Sequence, residues 1–243
     1  SGSFLFSLKV LRIPTIFLIH EFAGYCDKNE IIPYLFWASK IIFSTTITRD
    51  SFCENIPALK DANNINILPQ GKSMPINTPT QKTKSSDETD SVDLFLNNLS
   101  DDSLLIVGAG YVQVRKGVGV FIGVANRIKK KLPNRKIKFV WIGGGFSPID
   151  LNIGSLLNDQ IIFSDLENDL FILDNSPNYQ RLIDRSDFFL VTSLLDPLPN
   201  VALDALTAAK PTFCFDKGCG LAEYFRNSDL YDYLVAPFFD IEA

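Results

Sequence analysis

Short, continuous apolar runs alternate along this chain with longer segments of mixed polarity. Such runs are typical of strands that are buried on both faces, and the segments between them are long enough for helices. The strand-sized runs cover residues 15–19, 41–44, 65–68, 104–108, 137–142, 161–163, 188–191 and 212–215. Regular alternation of buried strands with helices predicts an α/β fold with parallel sheets.

The segment after residues 104–108 shows the clearest helical period. Its apolar positions recur every three to four residues, at Val118, Phe121, Val124, Ala125 and Ile128. Lysines at positions 129–131 follow, where cations complement the negative end of a helix dipole. We predict a helix here and a second one over about residues 199–209.

A polar stretch interrupts the alternation at residues 72–90, which are rich in Ser, Thr, Pro and charged residues. Such a composition is typical of a solvated linker between domains. We predict an incomplete N-terminal Rossmann-like domain in residues 1–77, a polar linker over 78–100, and a C-terminal Rossmann-like domain in 101–243. Ligands of such folds bind at the carboxyl ends of the strands.

Composition and charge exclude several classes of protein. Hydrophobic residues make up 46% of the 243 residues, which excludes a disordered chain. Lys and Arg number 23 against 28 Asp and Glu, so a net charge of -5 argues against a nucleic-acid partner. The four cysteines show no CxxC spacing, and we predict free thiols in a cytoplasmic protein without a metal site.

Nothing in the sequence predicts a membrane span or a signal peptide. No apolar run reaches the roughly 20 residues that a membrane-spanning helix requires. The first residues, Ser1-Gly2-Ser3, carry neither a basic segment nor a cleavage signature. We expect the chain to be a piece of a longer protein, truncated at both ends.

One glycine-terminated run is followed by cations. Gly108 and Gly110 stand at its end, and Arg115 and Lys116 follow at the predicted start of a helix. Glycines let the backbone approach a ligand, and helix N-terminal amides with a lysine attract phosphate. These residues predict a diphosphate site. The sequence lacks GxGxxG, so an ordinary strand-to-helix turn is the alternative.

Two further glycine clusters follow predicted strands. One contains Gly144, and the other, at residues 218–220, precedes Glu223. Glycine at the carboxyl end of a strand indicates that a ligand or another loop crowds the backbone there. Because four strand ends of one predicted domain share such features, we expect a ligand at this edge.

Two carboxylates near another strand end supply acceptors for hydroxyl groups. Asp196 follows a predicted strand, and Asp204 lies further along the next helix. Pro199, Asn200 and Val201 form the predicted first turn of that helix, whose amides suit a phosphate, while the carboxylates suit a sugar and a ribose. Helix capping by Asp196 and a solvated position for Asp204 are the alternatives.

The only histidine, His20, directly follows the run at residues 15–19. A histidine at the carboxyl end of a strand is placed to donate a hydrogen bond to a substrate oxygen. A purely structural histidine is the alternative, because a single histidine carries little information by itself.

Together these segments resemble the retaining glycosyltransferases of family 4, the group 1 glycosyltransferases with the GT-B fold of two facing Rossmann-like domains. The similar segments occur in the order of the family and extend over most of the chain. They are LIHEFAGY at 18–25, ILPQG at 67–71, GAGYVQVRKGVGVF at 108–121, FVWIGGG at 139–145, TSLLDPLPNVALDAL at 192–206 and PTFCFDKGCGLAE at 211–223.

The resemblance implies catalytic and binding roles for individual residues. Lys116 matches the family's phosphate-binding lysine, and Arg115 is the substitute for an arginine that is replaced here by Tyr111. Asp196 and Asp204 occupy the two positions of the family's Glu-x7-Glu signature, near the transferred sugar and the nucleotide ribose. Each side chain is one methylene shorter than glutamate, which displaces its carboxylate by roughly 1.5 Å.

The remaining implied contacts surround the donor. His20 aligns with a histidine that approaches the donor sugar, and Pro199 stands where the family often has glycine, so one amide is missing. The other residues implied in nucleotide-sugar binding are Gly108, Gly110, Gly144, Asn200 and Val201.

The resemblance implies transfer of a hexosyl-type sugar from a nucleoside-diphosphate sugar to a glycan or lipid-linked acceptor, with retention and without a metal or other cofactor. It implies a role in surface polysaccharide or glycoconjugate synthesis, in the cytoplasm or in peripheral contact with the inner face of the membrane. A catalytically silent nucleotide-sugar-binding or scaffold module of the same fold is the alternative. A nicotinamide-dependent enzyme would need the missing GxGxxG fingerprint.

Overall fold

In the part of the chain that the structure describes, two parallel sheets form the framework, and the first has three strands. The computed structural model describes residues 2–72, 90–226 and 228–242. In chain order, the N-terminal elements are α1 (Gly2–Val10), β1 (Ile16–Ile19), α2 (Lys28–Trp37), β2 (Lys40–Phe43), α3 (Thr46–Asn55) and β3 (Ile65–Ile67). The sheet order is β1-β2-β3, and Phe43 packs against Phe52 of α3 with 5.3 Å between ring centroids.

Among the described residues, the second sheet has six parallel strands. Its strands are β4 (Leu104–Ala109), β5 (Ile137–Ile142), β6 (Leu170–Leu173), β7 (Phe188–Val191), β8 (Thr212–Phe215) and β9 (Val235–Ala236). The helices around it are α4 (Ser91–Asn97), α5 (Val118–Lys131), α6 (Gly154–Phe163), α7 (Tyr179–Arg185), α8 (Asn200–Thr207), α9 (Leu221–Phe225) and α10 (Tyr231–Leu234). The order β6-β5-β4-β7-β8-β9 is the Rossmann order, which reverses direction between β4 and β7.

Apolar side chains cover both faces of the larger sheet, as a doubly wound fold requires. On one face, Val107 and Val140 join a buried cluster that includes Leu203 of α8. On the other face, Phe139 and the Trp141 ring pack with helix α5. This burial fixes the strands and therefore the positions of the loops at their carboxyl ends.

The predicted α/β fold with parallel sheets is confirmed, and one predicted strand is wrong. Residues 161–163 form the end of helix α6, in which Leu157 and Ile161 are buried one turn apart while Phe163 is 84% exposed. A strand that the sequence analysis missed lies at Leu170–Leu173. Its apolar run is short and polar residues flank it, so the strand was predicted at the neighbouring apolar run, residues 161–163, instead.

Of the predicted linker over residues 78–100, positions 78–89 lie outside the described residues. A helix, α4, occupies Ser91–Asn97 in the remaining part. Asp90 caps this helix through the amide of Val92, and Val92 is fully buried in the core of the larger sheet. The segment after position 90 therefore packs with the C-terminal part, while the division of the chain into domains stays a prediction.

Candidate functional site

The loops that follow β4 and β7 meet where the strand order of the larger sheet reverses. Gly117, at the end of the first loop, has a φ of 73°, and helix α5 begins at the next residue. A Cβ on Gly117 would lie 1.9 Å from the carbonyl oxygen of Thr192, which is the first residue after β7. Thr192 Oγ1 also donates to the Gly117 carbonyl at 2.9 Å, so the two loops are locked together.

Lys116 and Asp196 form a buried ion pair at this junction. Lys116 Nζ lies 2.5 Å from Asp196 Oδ2, and Ser193 Oγ lies 3.2 Å from the same oxygen. Asp196 is only 4% exposed. Its backbone amide donates to the Gly218 carbonyl at 2.9 Å, which ties in the loop after β8. The structure thus brings together two residues that the sequence analysis predicted separately, and it rules out a simple capping role for Asp196.

Arg115 connects the same loop to the N-terminal sheet. Its guanidinium lies 3.7 Å from Glu21 Oε2, 5.4 Å from the centre of the Tyr25 ring, and 3.3 Å from the Leu195 carbonyl oxygen. His20 is exposed and stands at the carboxyl end of β1, directly before Glu21. The segment that carries His20 therefore faces the loop that carries Arg115 and Lys116.

Asp204 has its own partners and does not contact the Lys116–Asp196 pair. Its Oδ2 accepts a hydrogen bond from the Tyr179 hydroxyl, and its Oδ1 lies 3.1 Å from Lys72 Nζ. Neither Tyr179 nor Lys72 was predicted from the sequence. No local pattern signals either contact, because Tyr179 begins α7 and Lys72 follows β3, far away in the sequence.

The first turn of α8 lies beside a segment from the N-terminal sheet. Pro199 caps this helix, and its carbonyl accepts the amide of Ala202 at 3.1 Å. The amides of Asn200 and Val201, in the first turn, have no acceptor within the helix. Gln70 Nε2 donates to Asn200 Oδ1 at 2.6 Å and to the Leu198 carbonyl at 3.0 Å.

The predicted glycines divide into packing residues and one that borders the site. A Cβ on Gly108 would lie 2.8 Å from Trp141 and 2.9 Å from Phe121, so this buried glycine makes room for aromatic rings. Its predicted contact with a ligand stays a prediction. The amide of Gly144 donates to Asn175 Oδ1 at 3.0 Å. Gly110, with a φ of 140°, faces the Lys116 side chain.

Glu223 joins the two sheets. Its carboxylate accepts the backbone amides of Thr46 and Ile47, both at 2.8 Å, at the N-terminus of α3. A Cβ on Gly220 would lie 1.8 Å from the Pro197 carbonyl oxygen. The glycines at 218–220 are therefore crowded by another loop, which corrects the expectation that a ligand crowds this fourth strand end.

Carboxyl ends of the strands in both sheets therefore face each other. Glu21, after β1, contacts Arg115, after β4. Thr46, after β2, contacts Glu223, after β8. Lys72, after β3, contacts Asp204, after β7. In residues 2–72, 90–226 and 228–242 there is no group of three or more His, Cys, Asp or Glu side chains that could hold a metal ion. Within the same ranges, no helix is both long and apolar enough to cross a membrane.

All four cysteines lie in the described ranges and are free thiols, as predicted. Burial raises the pKa of Cys214 to about 12 and that of Cys219 well above its usual value, while Cys53 is also buried.

We expect an aromatic disulfide reagent at pH 7 to modify only Cys26 in the native chain, and all four thiols in denaturant. Cys26→Ser should abolish the native reaction, whereas rapid native labelling of a second thiol would contradict this packing.

Two facing parallel sheets, with cations and helix N-termini at the point where the strand order reverses, define a GT-B-type α/β fold. The family model described as "Glycosyl transferases group 1" matches residues 101–243. The match covers more than half of the chain, which therefore belongs to this family.

Curated relatives match over part of their length. The chain is 34% identical over 119 residues to alpha-galactosylglucosyldiacylglycerol synthase of Streptococcus pneumoniae, covering 49% of this chain and 30% of that protein. It is 26% identical over 140 residues to an uncharacterized glycosyltransferase of Methanocaldococcus jannaschii, covering 56% of this chain and 32% of that protein. The chain thus spans about a third of the length of these relatives.

Solved structures share the fold over nearly the whole chain. HepE of Anabaena, in complex with UDP and glucose, superposes with a TM-score of 0.70 at 16% identity, covering 100% of this chain and 64% of that one. A UDP-forming trehalose-phosphate synthase from Burkholderia xenovorans superposes with a TM-score of 0.65 at 16% identity, covering 99% and 61%. At these identities the likeness establishes the fold alone.

Proposed function

We propose that this chain binds the nucleotide sugar in a retaining, family 4-type glycosyltransferase that transfers a hexosyl group to an acceptor. The observation that carries the proposal is the position of Lys116 beside the N-terminus of α5, where β4 and β7 diverge. A diphosphate bound there would meet a lysine and the first-turn amides of α5 and α8. Membership of the group 1 family supports the same reaction class.

In the proposed reaction, the bond between the sugar C1 and the diphosphate oxygen breaks while a bond from C1 to the acceptor oxygen forms on the same face. The proton of the acceptor hydroxyl passes to the departing diphosphate. Lys116, Arg115 and the helix amides stabilise the negative charge that develops on the diphosphate. Because these groups supply positive charge and hydrogen-bond donors, the proposal needs no metal ion.

His20 is proposed to act on the donor sugar, and Asp196 to act mainly through Lys116. His20 is exposed on the segment that faces Arg115, which suits approach to a sugar from the N-terminal side. Asp196 Oδ2 is paired with Lys116 and the side chain is only 5% exposed, so a sugar hydroxyl has little access to this carboxylate. We infer that Asp196 contributes mainly by orienting Lys116.

UDP is the nucleotide that we propose for the donor. Structural neighbours in complex with UDP, UDP-glucose or UDP-2-fluoro glucose support this choice, although their low identity establishes only the fold. The proposed acceptor is a glycan or a lipid-linked glycan, as in polysaccharide or glycoconjugate synthesis. A cytoplasmic position at the inner face of the membrane would suit such acceptors.

A thermal-shift panel with UDP, GDP, dTDP, CDP and NAD tests the donor proposal. A ligand at 100 times its dissociation constant stabilises the native state by about 2.7 kcal/mol. We expect UDP to raise the melting temperature and UDP-glucose to release UDP when an acceptor is present. Stabilisation by NAD alone, or by none of the five compounds, would contradict the proposal.

A catalytically silent binding module is the second candidate. The observation that favours it is that Lys116 and Asp204 are both ion-paired within the chain, to Asp196 and Lys72. This module would bind UDP without releasing it from UDP-sugars. UDP binding with no turnover of UDP-sugars would therefore select this candidate over the enzyme.

A further inference from the structure

We propose that the Tyr179 hydroxyl forms part of the ribose-binding site, together with Asp204. This inference rests on the proposed function and adds a residue outside every motif of the sequence analysis. Tyr179 begins α7, after β6, and Asp204 lies on α8, after β7. Their hydrogen bond joins two elements that flank the carboxyl edge of the sheet.

The length of the Asp204 side chain explains why a second group is needed. Aspartate carries its carboxylate roughly 1.5 Å closer to the backbone than glutamate does. Direct contact at ordinary hydrogen-bond distance therefore requires the ribose or the helix to move. A tyrosine hydroxyl that donates to the carboxylate keeps its own lone pairs free to accept, so the pair presents an acceptor beyond the reach of Asp204 alone.

The surroundings of Tyr179 hold its hydroxyl in the donor form. Burial, and then the neighbouring Asp204, raise the pKa of Tyr179 well above its usual value, so the group stays protonated at neutral pH. The loop before Tyr179 is anchored at the same edge, because Asn175 Oδ1 accepts the Gly144 amide at 3.0 Å. The loop that leads into α7 is therefore held against the loop after β5, while the Tyr179 hydroxyl is held by Asp204.

Lys72 compensates the negative charge of Asp204 at this site. An uncompensated carboxylate would repel the diphosphate of a bound nucleotide. Lys72 Nζ lies 3.1 Å from Asp204 Oδ1, and the side chain of Asp204 is only 13% exposed. Asp204 can therefore serve as a hydrogen-bond acceptor for Tyr179 and for ribose while its charge is balanced from the N-terminal part of the chain.

The test compares UDP with 2′-deoxy-UDP and 3′-deoxy-UDP by titration calorimetry on the wild-type chain and on Tyr179→Phe. We expect the wild type to prefer UDP over at least one deoxy analogue by about five- to tenfold, the range of a single hydrogen bond. In Tyr179→Phe that preference should fall to about one- to twofold. Affinity for the same deoxy analogue should be unchanged.

Tyr233→Phe is the matched control, because Tyr233 is 77% exposed on α10 and lies outside the proposed site. The control should retain the wild-type preference, and equal melting temperatures would show that both variants fold. An unchanged UDP preference in Tyr179→Phe would overturn the inference while leaving the proposed function intact. Failure of every nucleoside diphosphate to bind the wild type would overturn both.

Discussion

Substitution of Lys116 by alanine is expected to weaken UDP binding and sugar transfer by about two to three orders of magnitude. Lys116 is the cation at the junction of the loops after β4 and β7, and it is only 15% exposed. Its charge therefore acts in surroundings with little water to screen it. Calorimetric titration with UDP, and release of UDP from UDP-glucose in the presence of an acceptor, measure the two effects.

The alanine variant also leaves the Asp196 carboxylate buried without its partner. Breaking a buried ion pair in this way costs about 3–5 kcal/mol of unfolding free energy. A loss of binding could then reflect partial unfolding, so the design requires a variant that removes both charges. In Lys116→Met combined with Asp196→Asn, the lost positive charge no longer leaves a buried anion behind.

We expect this double variant to melt close to the wild type and still fail to bind UDP. Lys130→Ala is the control, because Lys130 is exposed at the far end of α5. It should retain wild-type affinity and stability. A folded double variant that binds UDP as tightly as the wild type would refute the assignment of Lys116 to the diphosphate.

The sequence predicted most strands because each is a continuous apolar run that the sheet buries on both faces. Residues 137–142, 188–191 and 212–215 were predicted with the same bounds that the structure gives. The error at residues 161–163 arose because a short apolar run does not distinguish a strand from the buried side of a helix. The order of strands depends on pairing between segments that are far apart in the sequence, and local periodicity carries no information about that pairing.

The sequence indicated individual residues of the candidate site but not their arrangement. The sequence indicated Lys116 and Asp196 as site residues, yet their ion pair depends on two loops that are far apart in the chain. Tyr179 escaped prediction because its only signal is a contact with Asp204 across two helices. The packing of Gly108 against aromatic rings was not predicted, because a glycine that makes room for aromatic rings and one that makes room for a ligand look the same in sequence.

Gly117→Ala is expected to lower the unfolding free energy by about 2–4 kcal/mol, which corresponds to a fall of roughly 4–16 °C in melting temperature. The residue has a φ of 73°, a conformation that is strained for alanine. The added Cβ would also lie 1.9 Å from the Thr192 carbonyl oxygen, so the loop after β4 must move away from β7. Differential scanning calorimetry measures the loss of stability.

The same displacement should carry Lys116 and the N-terminus of α5 away from the site, so UDP affinity falls together with stability. Gly24→Ala is the matched control, because Gly24 is exposed and a Cβ there meets nothing within 4 Å. It should leave the melting temperature and UDP binding unchanged. Wild-type stability in Gly117→Ala would contradict the packing of the two loops. A destabilised variant with full UDP affinity would show that the packing of the two loops is not required for nucleotide binding.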